Sequence, residues 1–343
     1  MSVPRIPRTL EQALDRAWLT EALAQHSNGK AVVAVNTVEV IRTVATKVRF
    51  VVELDGGGSE ALCLKGLLDV DEQMARGGPV TVLEADFYDK LAPKLSIRRP
   101  DCVATVNDRA FAIVIMRDLI AQGARFCTAL EPFTAEQAAA SLDQLARLHI
   151  GRGLLDETAW VRPRVAELAK AAYVPVPMLQ EMLTGPRGEG LPPRTRDAEL
   201  LVNALKTLAE SDAARRQYLI HGDSHAGNIY QTGDGPGLID WQLLQRGGWA
   251  LDVAYHIAAV LPVEAAEREE RNLLRHYLET MRRFGNAVAE SDDEAWHAYR
   301  ASLVYGYYLW AITRRVDPAV INLFVDRLGQ AVTRHDSFRL LGY

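Results

Sequence analysis

The run KVRFVVELDGGGSEALCLKG, Lys47 to Gly66, constrains the fold more than any other part of the chain. Two stretches rich in β-branched and apolar residues flank DGGGSE, whose glycine density fits a tight hairpin. AVVAVNTVEV precedes them as a third β-rich stretch, so an antiparallel meander is expected near the N-terminus. Ahead of it, TLEQALDRAWLTEALAQHSNG has Thr9 three residues before Gln12, the spacing of a capping box. It carries apolar residues at helical intervals and stops at Gly29, which predicts an N-terminal helix. After the meander, VTVLEADFYDKLAP reads as a helix ended by Pro93, and DCVATVND with AFAIVIM as a second hairpin turning near Asn107 and Asp108.

The pattern changes near residue 120. FTAEQAAASLDQLARLHIGR repeats the capping-box spacing at Thr134 and Gln137, and the rest is mainly helical apart from one short β-hairpin. LTGPRGEGLPPRTRD reads as a loop, and EAAEREERNLLRHYLETMRRFG, DDEAWHAYRASLVYGYYLWAITRR and DPAVINLFVDRLGQAVTRH as three amphipathic helices. The expected fold class is α+β with two lobes: residues 1–118 built on an antiparallel sheet, residues 119–343 mostly helical.

The 343 residues, 48% hydrophobic and 24% charged, suit a globular protein with a sizeable core. A net charge of −5 and no basic run with interleaved aromatics disfavour a nucleic-acid partner. Cys63, Cys102 and Cys127 are too few and too scattered for a disulfide framework, and read as core residues. The opening MSVPRIPRTLEQALDRAW has charge but no apolar leader, and no apolar run is long enough to span a bilayer, so a cytoplasmic protein is expected.

The chemistry concentrates in HGDSHAGNIY, His221 to Tyr230, between the apolar runs YLI and GLIDW. His221 and His225 at H-x-x-x-H spacing could share a helix face and bind zinc, but Gly222 and Gly227 argue against a helix there. GDSHAGN loosely resembles a metallophosphoesterase loop, yet no D-x-H pair precedes it. The third reading is a phosphotransfer loop, H-x-D-x-x-x-x-N followed by an aspartate at the end of an apolar strand, and Asp223, Asn228 and Asp240 fit that spacing. An alcohol is a weak nucleophile that a triphosphate repels. A carboxylate, Asp223, must therefore orient it, while hard oxygen ligands from Asn228 and Asp240 hold Mg2+ on the phosphates. In this reading His221 packs beneath the loop and His225 points toward the transferred phosphate.

Such a loop needs a nucleotide clamp upstream. Lys65 ends the third β stretch and Glu84 sits in the following helix, the relation expected of a phosphate-binding lysine positioned by a helix glutamate. Taken singly, they would read as a solvated strand-end lysine and a surface helix charge.

With these residues in order, the chain resembles the aminoglycoside phosphotransferase and choline kinase-like family of small-molecule kinases, which shares the protein-kinase-like fold. The resemblance covers nearly the whole chain and rests on LCLKG, EADFYDKLAP, IVIMRDL, LARLHIG, HGDSHAGNIY, GLIDWQ and GGWALDVAYHI. DWQ and DVAYHI look closest to its ecdysteroid-kinase-like and related bacterial branches. It implies that Asp223 is the catalytic aspartate, Asn228 and Asp240 the magnesium ligands, and Lys65 with Glu84 the clamp on ATP or GTP. It further implies that Met116, Arg117, Asp118 and Leu119 form a hinge offering backbone groups to the base, and that Asp252 is a structural aspartate supporting the catalytic loop. One departure stands out: VEVIRTVATKVRFVVELDG lacks the glycines of a protein-kinase phosphate loop, so phosphate cover is expected from the amides of Thr43 or Thr46.

The acceptor is less legible. Trp241, Trp296, Tyr305, Tyr307, Tyr308, Trp310, Arg314 and Arg315 are the pocket candidates, although an aromatic stripe at helical spacing more often packs a core. Neighbouring arginines suit an anion better than a choline-like cation, and the tail RHDSFRLLGY is not acidic as polycationic aminoglycosides would require. The expected function is therefore magnesium-dependent phosphorylation of a small-molecule hydroxyl, uncharged or anionic. The alternatives are a catalytically silent nucleotide-binding scaffold of the same fold and a protein kinase. The latter is disfavoured because WQLLQRGGWALD runs straight into a helix with no activation segment.

Overall fold

The computed structural model describes residues 4–43, 45–171 and 173–343. The first three residues of the opening segment and Val44 of the first hairpin, both used above, lie outside the described residues. The chain divides into two compact units. The first comprises Met1–Lys94, Arg99–Arg125 and Ile239–Gln242; the second comprises Leu95–Arg98, Phe126–Leu238 and Leu243–Tyr343. The boundary read from the sequence, 118/119, falls inside the last N-terminal stretch of the first unit.

In the first unit, β1 (Val32–Arg42), β2 (Thr46–Leu54), β3 (Ser59–Gly66), β4 (Cys102–Asn107) and β5 (Ala112–Arg117) form one antiparallel sheet ordered β1-β2-β3-β5-β4. Alternation decides which face is which. Val48, Phe50, Val52 and Leu54 of β2, Leu62 and Leu64 of β3, and Ile113 and Ile115 of β5 join Leu19 and Leu23 in a buried core. Lys47 and Arg49 of β2, and Cys63 and Lys65 of β3, therefore share the opposite face. The DGGGSE turn has Gly56, Gly57 and Gly58 at positive φ, where a side chain would be strained.

The N-terminal helix is interrupted. Two short helices, Leu10–Ala13 and Arg16–Ala22, replace the single one expected. Thr9 caps the first, and Asp15 accepts the Trp18 amide (2.9 Å), so an aspartate inside the periodic pattern starts a new helix. The helix Gly78–Asp86 widens into a π-helical turn at Phe87–Leu91 and then tightens into a last 3-10 turn at Ala92–Lys94, around the Pro93 stop expected.

In the second unit the helix Ala135–His149 opens with both bonds of the Thr134–Gln137 capping box. The three helices expected near the C-terminus are Val263–Arg283, Asp292–Ile312 and Pro318–Arg334. The short strands arise around the histidine-rich motif. Past β6 (Arg125–Phe126), β7 (Tyr218–Ile220) pairs with β10 (Gln245–Gly247), and β8 (Ile229–Thr232) with β9 (Gly235–Leu238). Every residue of the helix Trp249–Val260 is buried. Among the described residues, no helix is long and apolar enough to cross a membrane.

Candidate active site

The first unit gathers an ion cluster. Lys65 Nζ lies 2.9 Å from Glu84 Oε1, 2.8 Å from Glu84 Oε2 and 2.9 Å from Asp240 Oδ1. Lys65 and Glu84 are buried, while the Asp240 side chain keeps 25% of its exposure. Burial by itself favours a neutral amine, but Asp240 and Glu84 outweigh it and hold the Lys65 ammonium above its ordinary range. Glu84 is pushed upward, by burial first and also by the Asp240 charge, against the pull of Lys65. The two shifts diverge because two carboxylates share one ammonium. We read Lys65 as the settled cation and the cluster as short of positive charge.

Local structure explains how Asp240 reaches this cluster. It sits at φ +64°, the left-handed region that aspartate tolerates better than most residues. The next residue, Trp241, is fully buried and stacks on Phe87 at 3.8 Å between ring centroids, while its amide donates to Glu84 Oε1 (3.4 Å). The helix that supplies Glu84 thus also anchors the turn that supplies Asp240. Trp241 is a core residue of the first unit.

A lysine that sequence reading passed over stands beside this cluster. Lys47 is directly opposite Lys65 in the β2–β3 ladder and is half-buried. Burial, and then the Lys65 charge, push its ammonium below the ordinary range, with Asp240 and Glu84 pulling the other way. The alternation of β2 was the available signal, since it sets Lys47 and Lys65 on one face. Of the amides expected to cover phosphate, Thr43 N–H donates to Ala45 O (3.2 Å), and Thr46 lies in the ladder with its hydroxyl on Leu68 O (3.0 Å).

At the hinge segment, Met116 and Arg117 end β5, and the amides of Arg117 and Asp118 donate to Asp101 O (2.9 Å) and Ala61 O (3.0 Å). Asp118 is buried, bonds Arg49 (2.9 Å) and accepts the Ile120 amide (3.0 Å). It is a fastening for this segment, and Leu119 follows it, also buried. Cys63 and Cys102 are half-buried rather than core, with thiols pushed up to about 11 and about 12, mainly by burial; Cys127 alone is buried.

The second unit builds the loop after β7. Gly222 takes φ +79°, and a Cβ there would meet Leu243 O and Gln245 Nε2 at 2.4 Å, so glycine is required. The fully buried Asp252 accepts the amides of His221 (2.7 Å) and Gly222 (2.8 Å) and pairs with His149 Nε2 (3.1 Å). Burial would raise its carboxyl, but His149 and the loop amides prevail and lower it. His149 in turn meets the Tyr277 hydroxyl through Nδ1 (2.7 Å). The buried His221 packs beneath the loop and accepts the Asp223 amide at Nδ1 (3.2 Å).

This scaffold presents Asp223. The Tyr255 hydroxyl donates to its Oδ1 (3.0 Å), and Asn228 Nδ2 donates to its Oδ2 (3.0 Å) and to its backbone carbonyl (2.8 Å). Trp310 Nε1 donates to the Tyr255 hydroxyl (2.6 Å). Burial, with the Asp223 charge, keeps Tyr255 well above its ordinary range, so it remains a neutral donor. His225 accepts the Gly227 amide at Nδ1 (3.0 Å), and its Nε2 lies 3.2 Å from Asn228 Nδ2 and 3.5 Å from Asp223 Oδ2. Its ring packs edge-on against Trp310 (5.2 Å) and Phe324 (5.3 Å). Tyr255 carried a sequence signal: three residues after Asp252, it shares that helix face.

The remaining pocket candidates mostly pack the core. Tyr305 donates to Gly222 O (2.7 Å) and Tyr307 to Thr195 O (2.9 Å); both are fully buried, and Tyr308 nearly so. Trp296 stacks on Tyr299 beneath Arg271, and Arg314 and Arg315 are exposed beyond the helix Asp292–Ile312. Among the described residues, no group of three or more His, Cys, Asp and Glu side chains forms a metal site. The oxygen set proposed for magnesium includes an amide: Asn228 turns its Nδ2 to Asp223, which leaves Oδ1 as its acceptor. Amide and carboxylate oxygens, the donor types of Asn228 and Asp240, are hard ligands of the kind magnesium takes.

The phosphotransferase enzyme family model matches residues 79–287. No curated protein sequence matches the chain. Among solved structures the chain is similar to the Plasmodium vivax ethanolamine kinase, with TM-score 0.53 and 11% identity over 94% of this chain and 89% of that one. It is similar to a Thermobifida fusca protein described as a fructosamine-3-kinase, with TM-score 0.51 and 18% identity over 92% and 99%. A Cryptosporidium parvum choline kinase gives TM-score 0.50 and 11% identity over 89% and 88%. At these identities the likeness speaks to the fold, which is the bilobal α+β, protein-kinase-like one.

Proposed function

From the premise that this chain belongs to the phosphotransferase enzyme family, we propose that it transfers the γ-phosphoryl group of ATP or GTP to a hydroxyl of a small molecule. The observation that carries this reading is the meeting of Lys65, Glu84 and Asp240 within 2.9 Å. These residues are far apart in sequence, and their arrangement, a lysine fixed by a helix glutamate beside a second carboxylate, is what a phosphate-binding cluster needs. Lys65, positioned by Glu84, holds nucleotide phosphates. Asp223 orients the acceptor hydroxyl and takes its proton as oxygen attacks the γ-phosphorus and the bond to the departing diphosphate breaks. His225, whose Nε2 lies 3.5 Å from Asp223 Oδ2, is the candidate donor to the transferred group. Asn228 and Asp240 are the candidate ligands for magnesium, which when bound neutralises charge on the phosphates. Leu119 and its neighbours offer backbone groups to the base.

The donors around Asp223 are neutral, and the arginines nearest the end of the helix bearing Trp310 are cationic. Both features favour an uncharged or anionic acceptor over an aminoglycoside. The test is calorimetric titration of Mg·ATP and Mg·GTP into wild type and Asp240→Ala, followed by a screen of hydroxyl compounds for phosphorylation. Metal-dependent binding that disappears in Asp240→Ala supports the reading. Binding without turnover on any acceptor would favour the silent scaffold, and no binding at all would remove the nucleotide site.

A further inference from the structure

We infer that Lys47 is a second phosphate-binding cation, which acts with Lys65 on the nucleotide and replaces the glycine amides that the first hairpin lacks. The inference rests on the nucleotide reading above. Between Lys30 and Asp55 the chain has no glycine, so the hairpin of β1 and β2 cannot bring a run of bare amides against an anion as a glycine-rich turn does. Thr43, near its tip, spends its amide and its hydroxyl on Ala45 O (3.2 and 3.0 Å).

Lys47 is placed where those amides would be missed. It opens the working face of β2, immediately after the hairpin turn, and pairs with Lys65 across the ladder. Residues directly opposite in an antiparallel pair have Cβ atoms about 4.5–5.5 Å apart, and like charges there repel. Lys47 is also half-buried, and its side chain makes no hydrogen bond and no ion pair among the described residues. Lys65, by contrast, is held by Glu84 and Asp240. Asp240 and Glu84 attract the Lys47 ammonium, but both already bond Lys65, which leaves a second, facing ammonium with no bonded partner of its own. A polyphosphate supplies what both lysines need: one non-bridging oxygen can face Lys65 while another faces Lys47, and the repulsion becomes shared attraction. The bland account is that the Lys47 stem merely covers the sheet while its head seeks water.

Lys47→Met keeps the stem and removes the charge, and so separates the two accounts. Calorimetry would compare Mg·ATP, Mg·ADP and adenosine on wild type, Lys47→Met and Lys47→Arg, with thermal unfolding of each nucleotide-free protein. The expected result for Lys47→Met is a loss of Mg·ATP affinity of about 10- to 100-fold, as for one charge-assisted bond, with adenosine affinity unchanged. Lys47→Arg should recover most of the affinity. Unliganded Lys47→Met should melt close to wild type, because methionine keeps the stem and the lost repulsion of Lys65 offsets the lost attraction of Asp240 and Glu84; a stem that only packed would give unchanged affinity for every ligand. Mg·ATP affinity within twofold of wild type in Lys47→Met overturns the inference and leaves the nucleotide site standing. If Lys47→Met fails to fold, equal Mg·ATP affinity in Lys47→Gln does the same. Wild type that binds none of the three ligands overturns the underlying reading itself.

Discussion

The two units solve the problem of placing a carboxylate in opposite ways. In the sheet unit, Asp240 is held by a full charge, Lys65, which also grips Glu84 (2.9 and 2.9 Å). In the helical unit, Asp223 is held by neutral donors, the Tyr255 hydroxyl and the Asn228 amide, each at 3.0 Å. An ion cluster can exchange one of its charges for a ligand's, so it suits a group that binds phosphate and metal. A carboxylate steadied by neutral donors keeps its own charge available, which suits a group that must accept a proton. A charged support for this loop comes instead from Asp252, which accepts the amides of His221 and Gly222.

The largest test of this contrast is Asp223→Asn. If Asp223 is the base, turnover on the true acceptor should fall by roughly 10²- to 10⁴-fold, with melting temperature and Mg·ATP affinity near wild type. Turnover close to wild type would show that the neutral cage serves only structure, and the contrast with Asp240 would lose its meaning.

Lys65→Met attacks the other side. It strands Glu84, nearly fully buried, without its cation, and removing one partner of a buried pair costs about 3–5 kcal/mol. Urea unfolding of the nucleotide-free protein should register that loss. Asp240→Ala should cost far less stability, because the Asp240 side chain is a quarter exposed and Lys65 keeps Glu84. Equal losses in the two variants would mean that Asp240 is as structural as Glu84.

Acidification tests the neutral character of the helical unit. Buried His256 donates through Nδ1 to Ser224 O (2.7 Å), accepts at Nε2 from Ser141 (2.7 Å), and is pushed down to about 4, chiefly by burial. The folded chain binds that proton less readily than the unfolded one, whose histidine titrates near 6.5, so stability is lost as pH falls through this window. Asp212, which caps the amide of Gly248 (2.9 Å), is pushed up to about 6 from 3.8, again chiefly by burial. Its sign is opposite: stability is lost as pH rises from about 4 to 6. The two effects offset each other, so the wild type should vary little between pH 4 and 6. In Asp212→Asn the histidine limb stands alone, and stability should fall by on the order of 3 kcal/mol between pH 6.5 and 4. A flat profile in that variant would show His256 to be solvated.

The sequence made parts of this legible for physical reasons. Glycine density at DGGGSE, alternation in β2 and β3, and the capping box at Thr134 are local signals, and local structure obeyed them. The pairing of Lys65 with Glu84 could be read because the kinase pattern pairs a strand lysine with a helix glutamate, whereas the contact of Asp240 with Lys65 comes from the fold. Leu10–Ala22 was harder, since helical periodicity continues through Asp15 although its side chain starts a new turn there. The aromatic candidates from Trp296 to Trp310 carry one helical period, and periodicity cannot separate a pocket wall from a packed core. Tyr255, Trp310 and Lys47 acquire their partners only through tertiary pairing.

The finest test concerns that pairing. Tyr255→Phe removes one neutral donor from Asp223 and leaves Trp310 Nε1 without its acceptor. A hydrogen bond to a charged acceptor contributes about 1.5–3 kcal/mol, the size of a 10- to 100-fold change. Asn228 still holds the other carboxylate oxygen, so the expected loss in kcat is near the lower end, roughly tenfold. The KM for Mg·ATP should not move, because nothing in the Lys65 cluster has changed. Trp310→Phe should act in the same direction and more weakly, since its hydrogen bond reaches Asp223 through the Tyr255 hydroxyl. A merely structural tyrosine would instead lower the melting temperature and leave kcat intact. A rise in the KM for Mg·ATP would break the comparison from the other side, because it would tie the neutral cage to the nucleotide.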